Sequence, residues 1–216
     1  KTPYPDENYD MQRVAAVHEW LIDRRRVRPN TPVFLWGVSG GGQFASLFVR
    51  DVQQALGLRV TAQALIVAAG EGEQMRRSRT PTIFLLGGND RGVLGPAMNS
   101  YEDLQIREVP TAMFVNAETP VHPERFWRIK GLDRDDSIAI HAALRAGGIL
   151  RGDDYLVDRP KNLDWQPYVP AEYRSFTRDI EDQLFIAYGG HRLMANLNFH
   201  IFDFFAEQRP DDDDDD

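Results

Sequence analysis

The chain has 216 residues, of which 42% are apolar and 27% charged, and it contains no cysteine. This length supports one packed domain, and the composition excludes collagen-like chains, extended disorder, disulfides and thiolate metal sites. The net charge is −8, and six of these charges belong to the run Asp211–Asp216, which leaves −8 + 6 = −2 for the body. A nearly neutral body without a basic, aromatic-rich stripe argues against a nucleic-acid partner.

No apolar run approaches the ~18 residues that would span a bilayer, so no membrane span is expected. The first residues lack the apolar stretch of a signal peptide, which leaves the compartment open and favours the cytoplasm only slightly. The terminal segment 209–216 is predicted to be a disordered acidic tail.

Strand and helix patterns alternate in the first half of the chain. Met11 to about Arg24 has apolar residues at helical spacing, and a second helix is predicted from about Gln43 to Leu56. The apolar runs that predict strands buried on both faces are Pro32–Trp36, Ala64–Ala68, Ile83–Leu86 and Ala112–Val115. The sequence therefore predicts an α/β fold with an open, mostly parallel sheet flanked by helices.

The pattern changes beyond residue 119, where residues 120–185 have no convincing strand. Asp133 and Asp136 predict the cap of a helix that ends at Gly147, so this segment is interpreted as a helical insertion. A last amphipathic helix is predicted with Leu193, Leu197, Ile201, Phe204 and Phe205 on the face that packs on the sheet. The predicted core is thus 1–119 and 186–208.

The strongest local motif is Gly37-Val38-Ser39-Gly40-Gly41, placed between a predicted strand and a predicted helix. A sharp strand-to-helix turn leaves no room for side chains beside the serine and lifts its hydroxyl above the sheet edge. The Gly40 N–H at the helix start is positioned to stabilise an oxyanion. Ser39 is the predicted nucleophile, the alternative being a purely structural glycine-rich turn.

A serine nucleophile needs a general base and a carboxylate that orients it. Asp90 follows the predicted strand Ile83–Leu86 and is the candidate acid, with a simple turn-capping role as the alternative. His191 lies on a glycine-rich loop before the last helix and is the favoured base. His122, flanked by prolines, remains the alternative base. No motif predicts a metal site, and no cofactor is implied.

These motifs, in the order serine, aspartate, histidine, resemble the α/β-hydrolase superfamily of serine esterases and lipase-like enzymes. The resemblance implies a nucleophile elbow and a catalytic triad of Ser39, Asp90 and His191, with the Gly40 N–H as one oxyanion donor and residues 120–185 as a helical cap. It implies a carboxylesterase that cleaves a small-molecule ester through an acyl-enzyme intermediate. The alternative is a catalytically impaired or non-catalytic binding module, or a fragment that acts only in an assembly.

The chain departs from the family because only 36 residues precede Gly37. The family places several strands and a second oxyanion donor before the serine. The sequence is therefore expected to correspond to the C-terminal portion of such a core. The strand at Val33–Trp36 would then have a bare apolar edge, to be covered by self-association or by a missing N-terminal segment.

Overall fold

A computed structural model describes residues 9–56, 60–194 and 197–209. Its first half alternates helices and strands: α1 (Tyr9–Asp23), β1 (Val33–Val38), α2 (Gly40–Leu56), β2 (Val60–Ile66), α3 (Gly72–Arg77), β3 (Thr82–Gly87), α4 (Arg91–Ile106) and β4 (Thr111–Asn116). The rest is helical, with α5 (Arg134–Ala146), α6 (Thr177–Ala187) and α7 (Asn198–Glu207), and with short 3-10 helices at Arg125–Arg128, Pro160–Asn162, Gln166–Tyr168 and Ala171–Phe176. Of the predicted tail 209–216, residues 210–216 lie outside the described residues.

The four strands form one parallel sheet in the order β1-β2-β3-β4. β1 pairs with β2 from Val33 opposite Val60, and β2 pairs with β3 from Gln63 opposite Thr82. The side chains of β3 are all buried and those of β2 nearly all, as expected for interior strands covered on both faces. The prediction of an α/β fold with a parallel sheet and flanking helices is confirmed.

The expectation that the first strand is buried on both faces is wrong. β1 is one edge strand of the sheet, and its Trp36 and Val38 are 46% and 36% exposed. The same expectation is wrong for β4, the other edge strand, where no side chain is fully buried and Val115 is 46% exposed. An edge strand is covered on one side only, so an apolar run does not guarantee burial there.

α2 begins at Gly40, three residues before the predicted start. The carbonyl of Ser39 accepts hydrogen bonds from the N–H groups of Gly42 and Gln43, which closes the first turn of the helix. Three consecutive glycines indicate a loop on propensity alone, and these backbone hydrogen bonds override that preference.

The predicted extent of the last helix is also wrong at its start. α7 begins at Asn198, and Leu193, expected on its buried face, lies in irregular structure before the helix and is 43% exposed. The buried face of α7 is instead formed by Ile201 and Phe204. Leu193 belongs to unit 2 and α7 to unit 1, and residues 195–196 lie outside the described part of the chain.

The chain divides into two compact units. Unit 1 comprises Lys1–Leu85, Gly92–Phe114 and Ala195–Asp216, and unit 2 comprises Leu86–Arg91 and Val115–Met194. These bounds differ from the predicted core of 1–119 and 186–208, because the turn with Asp90 and the loop with His191 belong to unit 2. That residues 120–185 act as a cap stays a prediction.

Unit 2 has a hydrophobic core of its own, which includes Phe126, Leu144, Trp165 and Leu184. The predicted cap of α5 is confirmed: the Asp133 carboxylate accepts from the Asp136 N–H, and the Asp136 carboxylate accepts from the Asp133 N–H. This capping box satisfies two N–H groups that the helix itself cannot satisfy. Within the described residues, no helix is long and apolar enough to cross a membrane.

The hydroxyl of Tyr173 donates a 2.8 Å hydrogen bond to the second oxygen of Asp136. Hydrogen bonds from the Asp133 backbone and from this hydroxyl lower the pKa of Asp136 below its usual 3.8. The same contact raises the pKa of Tyr173 to about 12, because it stabilises the protonated phenol. The contact therefore depends on a charged carboxylate and a neutral phenol.

Substitution Tyr173→Phe is expected to lower the free energy of unfolding by an amount that is largest near neutral pH. A lowered carboxyl pKa gives stability that is present above pH 3.8 and lost as the pH falls through the folded-state value. A raised phenol pKa gives stability that is present below pH 10 and lost as the pH rises through about 12. Urea denaturation at several pH values measures the difference.

Tyr155→Phe is the matched control in the same unit, since the Tyr155 ring packs against the Arg151 guanidinium. Its difference from the wild type should not depend on pH in the acid range. A Tyr173→Phe difference that is equally constant in acid would contradict the role given to this hydrogen bond.

Candidate functional site

Ser39 lies in a left-handed backbone conformation at the junction of β1 and α2. Its φ is 53°, and its N–H donates a 2.8 Å hydrogen bond to the carbonyl of Ile66 on the neighbouring strand. A side chain in this conformation costs roughly 1–2 kcal/mol, because its Cβ crowds the carbonyl oxygen that follows. The turn imposes on a serine a conformation that glycine would adopt more easily, and such strain is common at functional sites.

Two of the glycines around Ser39 are required by close contacts. A Cβ on Gly37 would lie 2.3 Å from the carbonyl oxygen of Gly41, and one on Gly42 would lie 2.4 Å from the Cβ of Ala68. Cβ atoms added to Gly40 and Gly41 meet nothing within 4 Å. The tight turn thus explains Gly37 and Gly42 sterically, whereas Gly40 and Gly41 lie in open space.

Gly40 is the first residue of α2. The first N–H groups of a helix have no acceptor inside the helix, and the helix dipole adds positive potential at this end. This position follows Ser39 directly, as expected for the predicted oxyanion donor. Its role in binding an oxyanion stays a prediction.

Asp90 and His191 form a close pair within unit 2. The Nδ1 atom of His191 lies 2.5 Å from Oδ2 of Asp90, and the Asp90 side chain is only 12% exposed. A carboxylate accepts but does not donate, so Nδ1 carries the proton in this contact. In the neutral imidazole, Nε2 is then the acceptor nitrogen. This arrangement prepares His191 to take up a proton at Nε2.

The segments that carry Asp90 and His191 approach each other through glycines. A Cβ on Gly87 would lie 2.4 Å from the carbonyl oxygen of Gly189, and Gly189 itself has a φ of 71°. The N–H of Gly88 donates to the carbonyl of Asn116 at 2.9 Å. A side chain at Gly87 would separate the two segments, so the Asp90–His191 contact depends on that glycine.

The alternative base, His122, lies in the exposed segment that follows β4. The structure pairs Asp90 with His191 and not with His122. Of the remaining histidines, His141 lies on α5, where its Nε2 contacts Asp154 at 3.2 Å. In the sequence, His191 directly follows Gly189-Gly190 in a predicted loop, whereas His141 lies in a predicted helix. This difference distinguished the two histidines.

Sequence reasoning gave no role to Asn89, although it is adjacent to Asp90. Its side-chain amide donates a 2.7 Å hydrogen bond to the carbonyl of Tyr188, in the loop that leads to His191. Its position between a glycine and the candidate acid was the only available signal. Such a position does not indicate a long-range contact.

The predicted site residues thus fall into two sets. Asp90 and His191 are in contact within unit 2, and Ser39 and Gly40 form the tight turn in unit 1. Within the described part of the chain, no three His, Asp or Glu side chains are grouped so that they could hold a metal ion.

Comparison with protein-family models, curated proteins and solved structures finds no match for this chain. The function is therefore inferred from the site itself, with the α/β fold as its only architectural context.

Substitution Gly37→Ala is expected to destabilise unit 1, and the same substitution at Gly41 provides the matched control. The new Cβ at position 37 would overlap the Gly41 carbonyl, which is backbone and cannot rotate away. Overpacking of this kind costs about 1–3 kcal/mol. Gly41→Ala should be neutral or stabilising by up to about 1 kcal/mol, because alanine favours the helix. Urea denaturation measures both, and equal effects would contradict the tight turn.

Proposed function

We propose that the protein is a serine hydrolase of the α/β-hydrolase type that cleaves a carboxylic ester through an acyl-enzyme intermediate. The observation that carries the proposal is the Asp90–His191 pair, in which a mostly buried carboxylate fixes the proton on Nδ1. The strained serine at a strand-to-helix turn supports it, because that turn supplies an alcohol and an adjacent helix N-terminus. The order of these elements along the chain is that of the family.

In the first step, the Ser39 hydroxyl attacks the ester carbonyl carbon while Nε2 of His191 takes the hydroxyl proton. The carbonyl π electrons move onto oxygen, and the N–H of Gly40 donates to the resulting oxyanion. The tetrahedral intermediate then collapses, the bond to the leaving alkoxide breaks, and His191 returns the proton to it. An alcohol leaves and Ser39 carries the acyl group.

In the second step, water attacks the acyl carbon and Nε2 of His191 accepts a proton from that water. Collapse of the second tetrahedral intermediate transfers the proton back to the Ser39 oxygen and releases the carboxylic acid. Asp90 stays ionised throughout and stabilises the imidazolium that forms in both steps. This chemistry requires no cofactor.

The second candidate is a non-catalytic member of the same fold that serves as a binding module. The chain offers the Gly40 N–H as one oxyanion donor, and removal of one donor from such a site typically costs about 10²- to 10³-fold in turnover. A chain with weakened transition-state stabilisation would keep these residues and lose turnover. The labelling experiment below distinguishes the two candidates.

A fluorophosphonate probe should label the wild-type chain at Ser39 and should fail to label Ser39→Ala. The probe reacts with serines activated by a base, because the nucleophile must lose its proton to displace fluoride. Ser46→Ala is the matched control on the helix that follows Ser39, since the Ser46 hydroxyl is buried and donates to the Gln43 carbonyl. Mass spectrometry of the labelled peptides locates the adduct. An unlabelled wild type, or equal labelling of Ser39→Ala, would contradict the proposal and favour the non-catalytic candidate.

We also propose that the chain self-associates through β1, whose exposed Trp36 and Val38 lie on an edge strand of the sheet. An apolar sheet edge of this kind is a template for pairing with another chain. A preceding N-terminal segment is the alternative occupant.

Sedimentation velocity should show a concentration-dependent assembly for the wild type and a shift towards monomer for Trp36→Lys, because the charge opposes strand pairing. Trp127→Lys, on an exposed tryptophan of unit 2, is the control and should sediment like the wild type. A wild type that remains a folded monomer at every concentration would refute self-association.

A further inference from the structure

Asn89 makes three polar contacts that link the turn after β3 to distant segments of unit 2. Its Nδ2 donates to the carbonyl of Tyr188 at 2.7 Å and to Oε2 of Glu118 at 3.4 Å. Its backbone N–H donates to the carbonyl of Gly189 at 2.9 Å. One residue therefore holds two consecutive carbonyls in the loop that carries His191.

These two carbonyls lie just past the end of α6, where the helix offers no donors of its own. The N–H groups of this loop point back into α6: Tyr188 donates to Leu184, and Gly190 donates to Phe185. Carbonyls of α6 thus accept hydrogen bonds from the N–H groups of the loop, and Asn89 donates hydrogen bonds to the carbonyls of the loop. Without the Asn89 side chain, the Tyr188 carbonyl would lose this donor, which is costly in a packed structure.

Glu118 fixes the orientation of the Asn89 amide. A carboxylate only accepts hydrogen bonds, so the NH2 group and not the amide oxygen must face it. The Tyr188 carbonyl, also an acceptor, requires the same orientation. The two acceptors together leave one amide orientation that satisfies both contacts.

Asn89 also precedes Asp90, whose carboxylate holds His191 Nδ1. Asn89 is therefore joined covalently to Asp90 and by hydrogen bonds to the loop that carries His191. A shift of that loop would change the 2.5 Å contact directly, because only Gly190 separates Gly189 from His191. Asn116, whose amide donates to the Ile186 carbonyl at 2.8 Å, anchors α6 itself. Asn89 instead contacts the carbonyls of the loop that follows α6 and leads to His191.

We infer that Asn89 is a positioning residue that sets the His191 imidazole against Asp90 through its contacts with Tyr188, Gly189 and Glu118. Its effect on catalysis rests on the proposed function, whereas its effect on the imidazole does not. The Nδ1 proton of His191 can be observed directly, with no substrate and no activity.

The experiment measures the solvent exchange of the His191 Nδ1 proton by NMR in selectively labelled protein, in the wild type and in Asn89→Ala. Loss of the amide donor should speed this exchange roughly tenfold, the effect of about one net hydrogen bond, and should shift the resonance upfield as the contact with Asp90 weakens. Asn89→Asp keeps the side-chain shape and removes the amide donor, so it should show the same change if Asn89→Ala does not fold.

Ser137→Ala is the control for a general loss of stability in unit 2. The Ser137 hydroxyl is buried, donates to the Pro123 carbonyl and accepts from the Phe126 N–H, so its removal should destabilise the unit without touching the loop. Its Nδ1 exchange should match that of the wild type. Unchanged exchange in folded Asn89→Ala or Asn89→Asp, or an equal rise in Ser137→Ala, would overturn the inference.

The rate at which the fluorophosphonate probe labels Ser39 tests the effect of Asn89 on catalysis. If wild-type Ser39 is labelled, Asn89→Ala should be labelled roughly tenfold more slowly, in step with the exchange rate. If wild-type Ser39 is not labelled, the proposed function fails, and the NMR comparison still decides whether Asn89 positions His191.

Discussion

The hydrogen bond between Asp90 and His191 joins two segments that are 101 residues apart in the chain. Neither side chain could reach the other if the turn after β3 and the loop after α6 were kept apart by a side chain at Gly87. The contact therefore depends on backbone packing, and the chemistry of the pair depends on the contact. A carboxylate that is mostly buried and accepts from an imidazole leaves the distal nitrogen of that ring as the base.

The serine turn of unit 1 follows the same physical rule with different residues. Other atoms approach Gly37 and Gly42 so closely that no Cβ fits, and Ser39, which lies between these glycines in the sequence, adopts a left-handed backbone conformation. Here the strain falls on the serine itself. A fold that only needed a turn would gain stability from glycine at position 39, so the presence of a serine favours a chemical role for its hydroxyl.

Much of the fold was predictable because its signals are local. Buried runs such as Ile83–Leu86 have no polar residue that would suit an exposed strand, and Asp133 with Asp136 forms a cap that is visible within four residues. The expectations that failed depended on long-range packing. The exposure of β1 and of β4 depends on their positions at the two edges of the sheet, which the pairing of strands distant in the sequence determines. The pairing of Asp90 with His191 was predictable from their loops, whereas the contact of Asn89 with Tyr188 had no local signal.

The most direct test of the claim that Ser39 is activated by the Asp90–His191 pair is the detection of an acyl-serine. The chain is mixed with a p-nitrophenyl ester, quenched in acid within milliseconds to seconds, and digested for peptide mass analysis. The account predicts an acyl group on the peptide that contains Ser39, formed in step with a burst of p-nitrophenol. Release of p-nitrophenol above the background rate with no acyl group on that peptide would contradict it.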